Sequence, residues 1–245
     1  MSVAVKNAEK LQQLIQQGQV WQGRQRSLAQ PSEWCSSGHS ELDRWLGGGW
    51  VRSSINELQL SAPFIGELDV VLPVLRAARY AVWLNPPAEP YAWGWQTQGV
   101  DPARQLLVNT GTNASAEKDA LWALQQCTQA GCAEVVLAWF PELSAAAVRQ
   151  VQQSLAQQRS LVFVFTGMSE DLSAKAYTHR LKLTRAYTAA AIGAVDQGLQ
   201  IEVLKRRGGW PLPAQPYRAQ GYWPLRRQRT ATPVKPSNLV QGPWR

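Results

Sequence analysis

Apolar positions along this chain follow two patterns, and each pattern predicts a different secondary structure. Short continuous apolar segments, typical of strands buried on both faces, begin near Ile55, Tyr80, Leu106, Glu134 and Leu161. Between them, apolar residues recur at helical spacing. Strands that alternate with helices in this way predict one α/β domain with a central, mainly parallel sheet and helical crossovers.

Two of the predicted helices have clear start signals. Ser115 can cap a helix over residues 116–130, because its side-chain oxygen can accept a free backbone N–H of the first turn. Ser144 can cap a second helix, in which Val148 and Val151 face inward while glutamines face water. Both helices are expected to cover the sheet.

The last periodic segments predict a different kind of strand. Leu181 and Leu183 alternate with polar residues, and Leu199, Ile201 and Val203 do the same. Alternation of this kind is typical of strands with one buried and one solvated face. We expect the two strands to pair antiparallel at the edge of the sheet.

The pattern divides the chain into three parts. A glutamine-rich helix is expected within residues 1–22, the α/β core spans 23–207, and a proline- and arginine-rich segment occupies 208–245. No apolar periodicity continues beyond Lys205. We expect the last segment to be an extended, largely disordered tail, because it cannot bury enough apolar surface to compensate for the entropy of ordering.

A glycine turn, a strand, a tight loop and an apolar helix follow one another over residues 47–72, which is the layout of a P-loop. A working P-loop reads G-x-x-x-x-G-K-[ST], since backbone N–H groups wrap the phosphates, the lysine reaches them and the hydroxyl binds Mg²⁺. The matching eight positions run from Ser61 to Leu68, and only Gly66 agrees. Glu67 replaces the lysine and Leu68 replaces the hydroxyl. We therefore expect a degenerate P-loop without phosphate-binding chemistry.

An ordered set of short motifs surrounds this loop. The motifs are Trp21-Gln22-Gly23-Arg24, Ser37-Gly38, Leu42-Asp43, Gly47-Gly48-Gly49-Trp50, Gly66-Glu67-Leu68, Leu137-Ala138-Trp139 and Lys205-Arg206-Arg207-Gly208-Gly209. In this order they resemble the ImuA family, RecA-like proteins associated with mutagenic translesion synthesis in bacteria. The segment Ser36 to Leu58, called the lead-in below, resembles the lead-in to the ATP-binding core of RecA. The resemblance covers about Trp21 to Trp210.

This resemblance implies a RecA-like three-layer fold and shows where the other ATPase residues would stand. The magnesium-linked aspartate of RecA-like ATPases is replaced by Ala138, and the glutamate that activates the attacking water falls on Pro86 or Pro87. The lysine, the metal ligand and the base are therefore lost together. We expect no enzymatic activity, no cofactor and no bound metal.

The net charge of +8 is concentrated at one end of the chain. Residues 1–199 contain 16 Lys or Arg and 16 Asp or Glu, whereas residues 200–245 contain nine Lys or Arg and one acidic residue, Glu202. This asymmetry favours an anionic partner for the tail; the alternative is that the charge only keeps the protein soluble. Basic residues interleaved with aromatics suit single-stranded nucleic acid or a protein groove. The partner-binding candidates are Lys205, Arg206, Arg207, Trp210, Trp223, Arg226, Arg227 and Arg229.

The resemblance implies two alternative functions. The first is a non-catalytic accessory protein of SOS-induced mutagenic translesion DNA synthesis, with an ImuB-like polymerase-related protein as partner and with RecA and DNA as further candidates. The second is a division inhibitor that binds FtsZ, since SulA resembles residues 57–183. The lead-in and the Lys205–Gly209 motif favour the first function, because SulA-like chains lack both. A DNA-binding recombination mediator, based on the tail charge alone, is a third hypothesis.

The remaining signals concern location and metal binding. No apolar segment approaches the ~18 residues of a membrane span, and the amino terminus lacks a signal-peptide core, so we expect a cytoplasmic, nucleoid-associated protein. Three cysteines without a C-x-x-C spacing argue against a disulfide framework. His39 and His179 have no partners at metal-ligand spacing, and we expect both to be ordinary surface or loop residues.

Overall fold

The computed structural model describes residues 33–111, 115–169, 175–190 and 193–218, with the backbone alone described within 186–197. The strands are β1 (Trp34–Cys35), β2 (Trp50–Val51), β3 (Ser54–Leu60), β4 (Ala81–Leu84), β5 (Gln105–Val108), β6 (Val135–Trp139), β7 (Leu161–Gly167), β8 (His179–Ala190), β9 (Gly193–Lys205) and β10 (Leu212–Tyr217). The α-helices are α1 (Ser40–Leu46), α2 (Leu68–Ala77), α3 (Ala92–Thr97), α4 (Ala116–Ala130) and α5 (Ala145–Ser154).

One sheet of eight strands forms the centre of the molecule, in the order β10-β9-β8-β3-β7-β6-β4-β5. Strands β3, β7, β6, β4 and β5 are parallel, and β8 runs parallel to β3. Among the described strands of this sheet, β9 alone runs in the opposite direction, antiparallel to β8 and β10. All five predicted central strands are present, and each begins within one residue of its predicted position. The predicted α/β class and the mainly parallel sheet are confirmed.

Helices cover both faces of the sheet. Helices α1 and α2 pack on one face, together with Leu58, Phe163 and Trp83 of the strands, and Trp95 of α3 joins the same core. Helices α4 and α5 pack on the opposite face. This arrangement is compatible with a three-layer α/β fold. Within the described ranges, no helix has both the length and the apolar character that a bilayer crossing requires.

The predicted helix starts agree with the structure, but the two serines act differently. Ser144 caps α5, because its hydroxyl oxygen accepts the Ala147 N–H at 3.2 Å. Val148 of α5 is fully buried, as predicted. Ser115 precedes α4, yet its hydroxyl donates to the Asp119 carboxylate at 2.7 Å and makes no capping bond to the first turn. The predicted position of α4 is therefore confirmed, whereas its predicted cap is wrong.

The predicted antiparallel pair is present as β8 and β9, with Leu181 and Leu183 buried on one face. Its predicted place at the edge of the sheet is wrong. Strand β8 pairs with the central strand β3, and β10 pairs with β9 on the other side. The pair is interior because β10 supplies an edge strand that the proline-rich sequence did not predict.

The predicted start of a disordered tail at residue 208 is also wrong. Residues 206–209 form a tight turn closed by a bridge between Arg206 and Gly209, and β10 follows this turn. Tyr217, at the end of β10, is 4% exposed and belongs to the core. Residues 219–245, the rest of the predicted tail, lie outside the described residues, and so does the helix predicted within 1–22.

Tyr217 compensates for a proline inside α2. Pro73 has no N–H, so the Asp69 carbonyl four residues earlier lacks its helical donor. The Tyr217 hydroxyl donates to that carbonyl at 3.4 Å, and its ring meets His39 edge-on with 5.0 Å between centroids. Gly38 lies against Pro73, where an added Cβ would come within 2.4 Å of the proline side chain. The lead-in, α2 and β10 therefore meet at this proline.

Strand β3 is buried along its whole length although four of its seven residues are polar. Two of its polar side chains pair with β8. Asn56 Oδ1 accepts from His179 Nδ1 at 2.8 Å, and Glu57 forms an ion pair with Arg180 Nε at 2.5 Å. Both His179 and His39 are buried. His179 lies in β8, so the prediction that it is an ordinary surface or loop residue is wrong, whereas His39 lies in the loop before α1.

Burial of His179 makes the stability of the fold sensitive to acid. Burial lowers the pKa of His179 from 6.5 to about 4; the Leu46 backbone carbonyl opposes this shift, and the charges of Arg207 and Lys205 add to it. The unfolded chain therefore takes up a proton near pH 6.5 that the folded chain takes up only near pH 4. Keeping His179 neutral costs no stability above the unfolded pKa. As pH falls towards the folded pKa, the free energy of unfolding decreases by about 3 kcal/mol.

Urea unfolding at several pH values between these two pKa values tests this expectation. His179→Asn retains a donor for Asn56 but removes the titrating ring, so the wild type should lose about 3 kcal/mol more than the variant as pH falls through this window. His39→Asn provides the comparison with a second buried histidine, because burial also lowers the pKa of His39. Parallel pH profiles for the wild type and His179→Asn would contradict the prediction.

Candidate functional site

The loop of residues 61–67, between β3 and α2, lies at the carboxyl end of the central strand, where α/β sheets bind their ligands. Ser61 continues the strand pairing by donating its N–H to the Leu183 carbonyl at 3.1 Å. Leu68 begins α2 and packs, half-buried, against the core. The strand, loop and helix of a P-loop are therefore present in the predicted order.

Glu67 supplies the acceptor that a phosphate supplies in a working P-loop. Its carboxylate is 3% exposed and accepts the N–H groups of Phe64 and Gly66, each at 3.1 Å. From β8, the Arg185 guanidinium donates to the Ile65 carbonyl at 2.9 Å. The loop is thus closed by its own side chain. A triphosphate would have to displace a buried group that carries the same sign of charge.

Phe64 is the residue of this loop that sequence reasoning missed. Its φ of 64° lies in the left-handed region, where a bulky residue is an outlier, and its side chain is 66% exposed. The hydrogen bond to Glu67 holds its N–H, and the neighbouring Ile65 is buried. Pro63 indicates a turn here, but a single sequence does not show that the phenylalanine after it adopts positive φ.

The other two ATPase positions are also occupied by residues without the required chemistry. Ala138 is fully buried in β6, opposite Leu84 of β4. After β4 the chain turns at Asn85, with a φ of 51°, and continues into Pro86 and Pro87, which carry no ionisable group. Within the described ranges, no group of three or more His, Cys, Asp or Glu could hold a metal ion. These residues do not fit a magnesium–triphosphate site.

Aromatic rings cover the sheet beside these positions. Trp139 follows Ala138 and stacks on Phe165 and Trp83, with 4.5 Å and 5.8 Å between ring centroids. Trp83 in turn contacts Trp95 of α3 at 4.9 Å. The four rings come from β7, β6, β4 and α3, and together they attach the short helix α3 to the sheet.

Two of the basic partner-binding candidates make contacts within the chain. Lys205 Nζ donates to the Lys175 carbonyl at 2.9 Å. Arg206 donates to the Trp210 carbonyl at 2.8 Å and to the Trp45 carbonyl at 3.0 Å. Trp45 lies in the last turn of α1, whose carbonyls have no partner within the helix, so Arg206 caps this terminus. A role for these side chains in partner binding stays a prediction.

The rest of the Lys205–Gly209 motif also faces the lead-in and the residues just before it. Arg207 forms an ion pair with Glu33 at 3.4 Å. An added Cβ on Gly47 would lie 3.4 Å from the Arg207 carbonyl, so the two turns are in contact. Gly209 lets Arg206 cross the turn, since a Cβ there would come within 2.3 Å of Arg206 Nε. Packing against Arg206 explains Gly209 of this motif.

Asp43 organises the lead-in. Its carboxylate accepts the Ser37 N–H at 2.7 Å and the Ser36 hydroxyl at 2.6 Å. Gly49 has a φ of 111°, and a Cβ on it would come within 2.5 Å of the Cys35 carbonyl. The Ser-Gly, Leu-Asp and glycine motifs therefore form one folded unit around α1.

Trp210 is the most exposed large apolar side chain among the described residues, at 86%. Arg206 holds its carbonyl, so the ring projects from a fixed backbone. Its predicted role at an interface is consistent with this exposure. The remaining candidates lie outside the described residues, and their roles stay predictions: Trp223, Arg226, Arg227 and Arg229.

Protein-family models give no match to this chain, and no curated protein matches it. Function must therefore be argued from the geometry described above and from the sequence motifs. Two features of that geometry bear on function. The 61–67 loop is closed by Glu67, and the lead-in is joined to the Lys205–Gly209 motif.

Replacing Glu67 should destabilise the domain. Glu67→Ala leaves the N–H groups of Phe64 and Gly66 without their charged acceptor, and we expect a loss of about 2–3 kcal/mol in the free energy of unfolding. Glu67→Gln keeps a neutral acceptor and should lose less. Glu117→Ala, at an exposed position in the first turn of α4, is the matched surface control for urea unfolding.

Nucleotide chemistry can be measured on the same proteins. We expect magnesium-dependent ATP hydrolysis at background for the wild type and for both Glu67 variants. A turnover rate in the wild type that disappears in Glu67→Ala would contradict this interpretation of the loop. Unchanged stability of Glu67→Ala would show that its carboxylate does not hold the loop closed.

The two arginines of the motif should differ in their effect on stability. Arg206→Ala leaves the Trp45 and Trp210 carbonyls unpaired, and we expect a loss of about 1–3 kcal/mol. Arg207→Ala removes a half-exposed ion pair with Glu33, and we expect a loss below about 1 kcal/mol. Thermal unfolding of the two variants makes the comparison. Equal stabilities would argue that Arg206 is free to serve a partner.

Proposed function

We propose that this chain is a non-catalytic, RecA-like accessory protein of SOS-induced mutagenic translesion DNA synthesis. Its action is to bind other proteins of the damage response. The proposed principal partner is an ImuB-like polymerase-related protein, and RecA and DNA are further candidates. The proposal rests on the resemblance of the motifs to the ImuA family, and the structure adds physical support to it.

The observation that carries this proposal is the contact between two motifs that are far apart in the sequence. Arg206 donates to the Trp45 carbonyl across 161 residues, and Arg207 pairs with Glu33. By the resemblance, ImuA-like chains have the lead-in and the Lys205–Gly209 motif, and SulA-like chains lack both. Because each motif satisfies polar groups of the other, we expect them to be retained or lost together. Their presence as one unit favours the ImuA-like function over the division inhibitor.

The sheet supports a RecA-like core. Strand β3, which precedes the 61–67 loop, lies in the interior of the sheet and is followed by α2, in the order strand, loop, helix of a P-loop protein. Four parallel strands lie on one side of β3, and the unit β8–β10 lies on the other. Strand β3 therefore stands where the connections between strands change direction, which is the ligand-binding point of open α/β sheets.

The non-catalytic part of the proposal is supported by three positions. Glu67 occupies the N–H groups that would bind phosphate, Ala138 stands at the metal position, and Pro86 and Pro87 stand at the position of the base. Phosphoryl transfer depends on positioning, on a metal ion and on orientation of the nucleophile. A chain that lacks all three groups would act through its surfaces.

Direct binding of DNA is proposed for the carboxyl-terminal residues rather than for the turn after β9. Lys205, Arg206 and Arg207 are used in contacts within the chain, and five of the nine basic residues after position 199 belong to 219–245. A truncation that tests this role should end after Arg218. One that ends after Gly209 would also remove β10 and buried Tyr217.

The frequency of damage-induced mutations tests the proposed function. We expect a strain without this gene to show a several-fold lower frequency of ultraviolet-induced mutations, and a plasmid copy should restore it. Deletion of the gene for the ImuB-like protein should give the same phenotype, and the double deletion should add nothing. A normal mutation frequency, together with filamentous cells on overproduction of the chain, would contradict this function and favour binding to FtsZ.

A further inference from the structure

Half of the exposed large apolar side chains follow the same edge of the sheet. Eight are exposed among the described residues, and four of these follow the carboxyl ends of parallel strands. Phe64 follows β3, Met168 follows β7, and Tyr91 and Trp93 follow β4. Their exposed fractions are 66%, 44%, 72% and 68%. We call these four residues the apolar edge.

The strand order brings the members of the apolar edge to the same side of the molecule. Strands β3, β7, β6 and β4 are consecutive and parallel, so their carboxyl ends lie together. Three strand spacings separate β3 from β4, or roughly 14 Å at ~4.8 Å per spacing. One partner surface of ordinary size, burying about 800 Å² on each side, can cover that distance.

Phe64 has the properties of a side chain that is held in place for contact. The Glu67 carboxylate fixes its N–H, buried Ile65 anchors the chain beside it, and Arg185 holds the Ile65 carbonyl. The backbone at Phe64 adopts positive φ, which costs a bulky residue free energy and persists where surrounding contacts enforce it. The loop therefore presents an exposed ring from a rigid backbone, which reduces the entropy lost on binding.

The charges at this edge indicate what kind of partner fits. The described segments that directly follow the parallel strands are 61–67, 85–91, 109–111, 140–144 and 168–169, and they contain no Lys or Arg. Two cations reach these segments from elsewhere, and both are used within the chain: Arg185 donates to the Ile65 carbonyl, and Lys175, later in the β7–β8 connection, pairs with Glu142. Binding of nucleic acid depends on neutralising phosphates with basic residues. The apolar edge instead combines aromatic residues with prolines, and aromatic residues are enriched at protein interfaces. A protein partner fits this composition, and a polyanion does not.

A second copy of this chain is a poorer fit than a different protein. In a twofold contact through the same patch, each Phe64 ring would need an apolar pocket on the other copy. The cavity between α4 and α5 is polar, since it is lined by Gln125, Gln129, Gln150, Gln153 and Ser154. It would not give an aromatic ring apolar walls.

We propose that the apolar edge is the surface that docks the polymerase-related partner, with Phe64 and Trp93 seated in apolar pockets of that protein. This inference rests on the proposed function, because it takes the ImuB-like protein as the occupant. It places the contact at the edge where nucleotide chemistry has been lost. The closed 61–67 loop then has a role of its own, since the Glu67 carboxylate positions Phe64.

Binding of the full-length chain to the purified ImuB-like protein, measured by isothermal titration calorimetry, tests this inference. Phe64→Asn removes the ring with a residue that tolerates positive φ. Trp93→Ala removes the second anchor. Trp122→Ala is the matched control, because Trp122 is 64% exposed in the middle of α4. We expect the first two variants each to weaken binding by more than about tenfold, and the control to change it by less than about twofold.

The possible outcomes separate this inference from the proposed function. If the wild type binds and all three variants bind equally well, the docking surface is wrong and the proposed function stands. If the wild type does not bind the ImuB-like protein, the proposed function fails and the inference fails with it. Weaker binding of an oligothymidylate in Phe64→Asn and Trp93→Ala would identify a nucleic-acid surface and overturn the inference.

Self-association is the remaining alternative. A wild-type dimer in light scattering that becomes a monomer in Phe64→Asn would place a second copy at the apolar edge and overturn the inference. Far-ultraviolet circular dichroism and thermal unfolding verify that each variant is folded. Should Trp93→Ala fail to fold, Tyr91→Ala replaces it, since Tyr91 is 72% exposed before α3, and the same tenfold loss is expected.

Discussion

The whole sheet depends on satisfying the polar side chains of a fully buried strand. Buried polar groups must be hydrogen-bonded, and buried charges must be paired. Strand β3 meets this requirement at two positions through β8, where Asn56 pairs with His179 and Glu57 pairs with Arg180 on consecutive residues. The buried Gln59 Oε1 has no hydrogen-bond partner among the described residues. A shift of one residue would bring Asn56 opposite Arg180 and would leave Glu57 without its partner. These pairs therefore set the register that joins the unit β8–β10 to the parallel strands.

Two further parts of the fold follow the same rule, applied to backbone groups that lack a partner within their own helix. Pro73 leaves the Asp69 carbonyl without its helical donor, and Tyr217 supplies a hydroxyl. The last turn of α1 leaves the Trp45 carbonyl free, and Arg206 supplies a guanidinium. Tyr217 comes from the segment that the sequence had indicated to be an unstructured tail, and Arg206 comes from the last residues of the predicted core. Residues 206–218 thus supply hydrogen-bond donors to carbonyls that have no donor within α1 and α2.

The 61–67 loop shows how a loop with the layout of a P-loop can hold its conformation without a ligand. Backbone N–H groups that point into a tight loop need an acceptor, whether a phosphate or a side chain. Glu67 provides that acceptor from within the chain, so the loop conformation does not depend on nucleotide. Glu67, which stands at the position of the P-loop lysine, makes the internal contact and leaves Phe64 fixed and exposed.

The sequence alone determined the α/β class, the five central strands, the positions of α4 and α5 and the residue types at the P-loop positions. These features depend on local periodicity and on residue type at fixed spacing, which a single chain displays directly. Tertiary structure decided the burial of His39 and His179, the pairing of β10, the structural use of Arg206 and the exposure of Phe64. Three of these depend on a partner far away in the sequence: Tyr217 beside His39, Asn56 beside His179, and the end of α1 beside Arg206. Periodicity does not record such contacts, because hydrogen-bond satisfaction is a property of the assembled fold and not of the local sequence.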